Sequence, residues 1–254
     1  MNINNSVFGS HYSNIYDAIY QKKNYDFEAQ YINKIISKFY KKKLKKNLIL
    51  DLGCGTGKHS YKLNKIGYDV IGLDQSSHML KIAKIINDEN NNIFLKKNIT
   101  NFNYINKFSA VISMFAVIGY LTSNKDLIKV FENTYKSLKQ NGVFIFDCWN
   151  GNAVLSLKPK NKSLKIANKT SSITRYTKQE IDYDKNCLKI QFLINDSKSS
   201  KNRFKETHFM RYFFLPELET YLKNVGFREV YFFDFLKFKK ITFNNWNMHV
   251  VAIK

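Results

Sequence analysis

Proline is nearly absent from this sequence, with only Pro159 and Pro216 in 254 residues, and glycine occurs just ten times. That poverty excludes collagen-like repeats and Pro/Gly-rich linkers, so a single domain over residues 1–254 is expected. Cysteine is scarce as well: Cys54, Cys148 and Cys187 are odd in number and contain no C-x-x-C pair. They argue against a disulfide framework and a thiolate metal site, leaving free thiols and no expected metal. Long apolar runs are missing too, and the opening MNINNSVFGSHYSN has neither the basic start nor the apolar segment of a secretory signal. A cytoplasmic protein without a membrane span is expected.

Arginine is the last shortage. It stands only at Arg175, Arg203, Arg211 and Arg228, so the formal net charge of +21 is almost wholly lysine. Such a charge ordinarily points to a polyanion. Asn, Ile, Phe and Tyr are abundant too, however, which fits A/T-rich coding that inflates lysine generally. A solvated lysine surface is the preferred reading, an anionic small substrate the second and nucleic acid the third. The lysine run at 41–46 reads as a solvated helix end.

What is present is ample apolar material, 44% of residues, in an alternating strand and helix pattern. An aromatic lead-in over residues 1–27 precedes a first helix carrying Tyr31, Ile32, Ile35, Ile36 and Phe39. A strand from Leu48 follows, then a short helix with Tyr61, Leu63 and Ile66 that stops at Gly67. The next strand ends at Asp74, and Ser76 caps a helix that turns Met79, Leu80, Ala83 and Ile86 inward. Strands are expected at Asn92–Lys96, Phe108–Phe115 and Val143–Asp147, with Leu127, Phe131, Thr134 and Leu138 on one face of the intervening helix. The pattern lapses from Asn150 to about Glu206, where Ser171–Lys178, Leu188–Ile194 and Arg203–Leu215 read as antiparallel strands. Pro216 opens a last helix, Gly226 closes it, and strands Arg228–Phe233 and Trp246–Ile253 finish the chain. The fold class is α/β: a Rossmann-like seven-stranded sheet with helices on both faces. An antiparallel β insertion, residues 152–206, forms a lid before the last helix.

The most informative stretch is LILDLGCGTG, Leu48 to Gly57. Gly53, Gly55 and Gly57 between a strand and a helix let bare backbone approach a ligand. The third glycine of a dinucleotide turn is missing, because Ser60 stands three residues after Gly57. Asp51, two before the first glycine, suits an ammonium-bearing ligand better than a pyrophosphate. Asp74, at the next strand end, is placed to accept from ribose hydroxyls. With LDLGCGTG and GLDQSSHML, the sequence resembles the class I S-adenosylmethionine-dependent methyltransferases. The resemblance implies S-adenosyl-L-methionine as cofactor, met by Asp51, Gly53, Cys54, Gly55, Gly57, Asp74, Gln75 and Met79. Asn98, Ile99 and Met114, at later strand ends, complete that set. Asn98 stands where the family usually has an acid and can accept from the adenine amine through its amide oxygen.

The segments YDAIYQKKNYDFEA, SMFAVIGYL, DCWN and HFMRYFFLPEL resemble the nucleotide-sugar N,N-dimethyltransferases and related small-molecule methyltransferases. This implies that Tyr20 and Tyr25 close over the cofactor and that Tyr120, often a histidine in those enzymes, faces the acceptor. Among the five histidines, His59 and His78 read as solvated or capping, His249 as core, and His11 is unplaced. His208 is the best-placed candidate base for a hydroxyl acceptor, with a purely structural role as its alternative; an amine or ionised phosphoryl acceptor needs alignment alone, and strand alternation puts Arg211 on the opposite face. The expected activity is methyl transfer to O or N of a small phosphorylated or nucleotide-linked acceptor. Sugar nucleotides and surface-polysaccharide precursors, phosphoramidate-type capsule decorations among them, are the acceptors considered, and the resemblance leaves room for a homodimer. The alternative is an RNA or other nucleic-acid methyltransferase. With only two prolines, both the Asn/Asp-Pro-Pro-aromatic motif of adenine N6 enzymes and the Pro-Cys nucleophile of cytosine C5 enzymes are missing.

Overall fold

The computed structural model describes residues 7–40, 47–167, 172–197 and 203–254. The lysine run at 41–46 lies outside them. Seven strands form the main sheet: β1 (Asn47–Leu52), β2 (Tyr68–Asp74), β3 (Ile93–Lys96), β4 (Phe108–Ser113), β5 (Leu138–Trp149), β10 (Glu229–Asp234) and β11 (Asn247–Ile253). Their order is β10-β11-β5-β4-β1-β2-β3, with β11 antiparallel to both its neighbours and the other pairs parallel.

Strand alternation divides the core into two layers. Leu50, Val111, Phe144, Phe146 and Val250 face α5 (Asn124–Ser137) and α7 (Leu215–Val225), where Leu127, Phe131, Leu218 and Leu222 are buried. Ile49, Ala110, Ile112, Val143 and Val251 face α2 (Tyr25–Phe39) and α3 (Lys58–Ile66), through Ile32, Ile35, Ile36 and Leu63. Each central strand is thus covered on both sides, as its unbroken apolar sequence requires. The Ser76 side chain accepts from the Met79 N–H and opens α4 (Ser77–Ile86), while Gly67 and Gly226 close α3 and α7 in the left-handed region.

A second sheet, ordered β6-β7-β8-β9, is antiparallel throughout: β6 (Lys162–Ala167), β7 (Ser172–Asp182), β8 (Cys187–Asp196) and β9 (Arg203–Arg211). Several expectations are corrected. The lead-in contains a helix, α1 (Ser10–Ile19), and Gly151–Leu157 forms another, α6. β6 was not foreseen, and β9 ends at Arg211 instead of Leu215, which opens α7. Leu138 begins β5 and does not extend the preceding helix face; the strand passes through Asn141 at φ +64°. α1 escapes a sheet-based pattern because its apolar face packs on the second sheet, with Tyr12, Ile15 and Ile19 against Ile173 and Ile194.

Candidate active site

The glycine loop is pinned from below. The N–H groups of Gly53 and Cys54 both donate to the Leu73 carbonyl, at 2.7 and 3.0 Å. Asp74 then ties the loop to the next helix, accepting from Gly55 N–H and Ser76 N–H, each at 2.8 Å. Burial raises the Asp74 carboxyl above the usual range, and those bonds oppose the shift. Gly53 is dictated by close approach, since a Cβ there would lie 2.5 Å from a Val117 methyl at φ +72°.

Above this loop lies a cavity of about 1430 Å³. It sits beyond the carboxyl ends of β1, β2, β4 and β5, where open α/β sheets bind ligands. Gly53, Cys54, Gly55, Asp74, Gln75, Met79, Asn98, Ile99 and Met114 line it, as do Tyr20, Tyr25, Tyr120 and His208. Two expected ligands do not. Asp51 is 2% exposed, accepts from the Ser60 hydroxyl at 2.7 Å and lies off the cavity wall. Its carboxyl is committed to the first turn of α3, and burial pushes it up to about 6. Gly57 is also off the wall: a Cβ there would strike Asn87, Ala83 and Phe94, so it serves the packing of α3 on α4. Asn98 faces the cavity, but its amide oxygen already accepts from Thr100 N–H at 2.9 Å and Thr100 O–H at 2.8 Å. Its NH₂ is therefore the group left for a ligand, which suits a ring nitrogen better than an exocyclic amine.

Asp147, at the end of β5, lines the cavity and accepts from the N–H groups of Phe115 and Ala116. Those residues sit at φ +71° and +57°, so the carboxylate holds a strained turn after β4. Here too burial pushes the carboxyl up to about 6. From the other side, Asp17 of α1 accepts from the Thr56 hydroxyl at 3.0 Å and pairs with Lys58 at 3.1 Å, joining α1 to the glycine loop. His59 departs from its solvated reading. It is 7% exposed, and its Nε2 lies 2.6 Å from Glu28, which also pairs with Lys23. Lys23, Glu28 and His59 all line the cavity. Desolvation raises the Glu28 carboxyl, and His59 and Lys23 lower it, leaving it below the usual value.

Of the other histidines, His78 is exposed, as expected, and His11 is exposed beside the Phe204 ring. His249 is a core residue: burial lowers it to about 3, and its Nδ1 accepts from Leu236 N–H at 3.0 Å. The second sheet supplies Lys162, Thr177, Arg175, Gln179, Phe192 and His208 to the cavity. Arg175 donates to the Tyr20 hydroxyl at 3.0 Å, while its Nε is buried without a partner. Arg211 points away from His208, as alternation requires, and pairs with Glu217.

A seven-stranded sheet of this order, a glycine loop at its first strand end and an acid at its second define a class I methyltransferase. The site fits S-adenosylmethionine: Asp74 on the cavity wall retains lone pairs beyond those its backbone bonds use, and Tyr16 and Tyr20 put aromatic rings, which suit a cation, on the same wall. The family described as a methyltransferase domain matches residues 49–142. A protein of Bacillus subtilis (strain 168) named as a methyltransferase, YqeM, is 27% identical over 223 residues, 85% of each chain. The dTDP-3-amino-3,4,6-trideoxy-alpha-D-glucopyranose N,N-dimethyltransferase of Streptomyces venezuelae is 23% identical over 87% of this chain and 91% of its own. In fold, the chain is similar to an S-adenosylmethionine-dependent methyltransferase from Clostridium acetobutylicum ATCC 824. The TM-score is 0.79 at 21% identity, covering 96% of this chain and 97% of that one. The protein is a class I S-adenosylmethionine-dependent methyltransferase. When bound, the cofactor supplies the activated methyl carbon, and the chain's own residues hold, orient and shield the reactants.

Proposed function

We propose that the protein methylates nitrogen or oxygen of a small, anionic, nucleotide-linked sugar. The carrying observation is Arg175, a cation on the cavity wall whose Nε has no partner and which forms no ion pair among the described residues. With Lys162 nearby on the same sheet, it suits a phosphorylated acceptor. The dimethyltransferase relative, whose named substrate is a dTDP-amino sugar, supports the same class. We assign the reaction to the cytoplasm and to surface-polysaccharide precursors, phosphoramidate-type capsule decorations included. Residues 152–206, with β9 through Arg211, act in this reading as a lid over the acceptor.

Methyl incorporation into dTDP-amino sugars, their hydroxyl counterparts and total RNA, followed by mass spectrometry, tests the proposal. Arg175→Ala should raise the acceptor KM at least tenfold while leaving cofactor affinity unchanged. Methylated RNA with untouched sugar nucleotides would overturn it.

A further inference from the structure

One part of the cavity wall holds a hydrogen-bonded chain of three side chains. Tyr120 Oη lies 2.8 Å from His208 Nδ1, and His208 Nε2 lies 3.1 Å from Glu206 Oε2. The other Glu206 oxygen accepts from Gly9 N–H at 3.3 Å. His208 is 1% exposed, and the rings of Phe8, Tyr12 and Phe192 stand 5.4, 5.9 and 4.9 Å from it. Water is therefore kept from the imidazole, while Tyr120 and His208 both border the cavity.

The carboxylate selects the tautomer. Glu206 only accepts when ionised, so the hydrogen of a neutral imidazole belongs on Nε2 and its lone pair on Nδ1. Nδ1 then accepts from the Tyr120 hydroxyl, and the phenol oxygen keeps its own lone pairs for the cavity. Burial holds the Tyr120 phenol well above its usual range, so it is a neutral conduit at physiological pH and not a standing phenolate. The other ionisable groups near the chain are Tyr12 and Tyr16 of α1, Tyr20 just after it, and Arg175 of β7, whose cation is turned to the Tyr20 hydroxyl. Among the described residues, Glu206 is the carboxylate that touches His208.

We infer that Tyr120, His208 and Glu206 are a proton relay for the methyl acceptor. The inference rests on the methyltransferase reading and narrows its acceptor to a group that must shed a proton, an ammonium or a hydroxyl. An already ionised phosphoryl oxygen would not need it. Tyr120 Oη takes the acceptor's proton as its own passes to His208 Nδ1, before attack for an ammonium and during attack for a hydroxyl. The acceptor lone pair forms the new bond to the methyl carbon, and the carbon–sulfur pair stays on sulfur. For a hydroxyl the sulfonium's positive charge thereby ends on an imidazolium beside Glu206; for an ammonium the shed proton's charge ends there and the sulfonium's on the methylated nitrogen. Tyr120 is the catalytic residue, and Glu206 is a positioning residue that acts through His208.

Nitrogen-15 spectra of histidine-labelled protein test the relay without any acceptor. In the wild type the neutral imidazole of His208 should carry its hydrogen on Nε2, and Glu206→Gln should let the Nδ1–H tautomer appear. An Nδ1–H tautomer in the wild type overturns the relay. With a dTDP-linked 3-aminohexose and its 3-hydroxyl counterpart as probes, Tyr120→Phe and Glu206→Gln should each lower kcat by about 10²–10⁴-fold with KM nearly unchanged. The double variant should fall no further than the worse single one, and unchanged cofactor affinity certifies the fold. For the amine the defect should shrink at alkaline pH, where solvent deprotonates it; for the hydroxyl it should persist. Wild-type kcat in both variants, or fully additive losses, overturns the relay. If neither probe is methylated although cofactor binds, the sugar-acceptor reading fails instead, and the tautomer spectrum alone decides the relay.

Discussion

Asp51 and Asp147 are both buried and both pushed up to about 6, so their ionised forms cost stability at neutral pH. For a carboxyl raised in the folded state the penalty is absent below its unfolded value. It builds as pH rises from the unfolded value of 3.8 to about 6 and is complete above that. Asp51→Asn keeps an acceptor for the Ser60 hydroxyl without the charge. It should be more stable than the wild type by up to about 3 kcal/mol at pH 8 and should lose that advantage by pH 4, as denaturant melts would show. Asp74→Ala should instead weaken cofactor binding by about 1–3 kcal/mol in calorimetry, because Gly55 N–H loses its acceptor and a ribose would lose its own. The difference between the two acids was only half legible. Asp74 ends a strand and faces the cavity, so position alone marks it. Asp51 also lies on the loop's approach, but its partner Ser60 is set by the pitch of α3, and sequence spacing does not reveal that the carboxylate turns there. His59 was misread for a similar reason: Glu28 sits 31 residues earlier on another helix, a pairing that only the tertiary fold creates.

Elements that bury a face against the central sheet could be read directly, and so could β7, β8 and β9 from their alternating and β-branched residues, but α1 and β6 could not. α4 was legible from Ser76 and its inward Met79, Leu80 and Ala83. α1 was not, because tyrosines occupy positions that sheet-packing helices fill with aliphatic residues, and its partner is the second sheet. β6 escaped notice because its side chains are mostly exposed, leaving no alternating apolar face. The joint between α1 and that sheet depends on Ile194, which is fully buried there. Ile194→Ala should cost about 2–4 kcal/mol in thermal or denaturant unfolding. It should also speed tryptic cleavage at Lys22 and Lys23, the link between α1 and α2, and a variant cut no faster than the wild type would show that α1 is held by the glycine loop alone.

At the scale of the whole molecule, the main sheet lines one side of the cavity with Gly53, Gly55, Asp74 and Asp147, and the second sheet lines the other with Lys162, Arg175 and His208. The seam of Tyr12, Ile15 and Ile19 on Ile173 and Ile194 bonds α1 to the second sheet. Asp17, on that same helix, is latched to Thr56 and Lys58. The two halves of the chamber are thereby joined through α1. The expected outcome is that spent cofactor and methylated acceptor depart together in a single slow event. Rapid-quench progress curves should show a burst of about one methyl per chain, followed by a steady state that slows in viscous buffer. Loosening the seam with Ile194→Ala should shrink the burst by accelerating the escape that follows it.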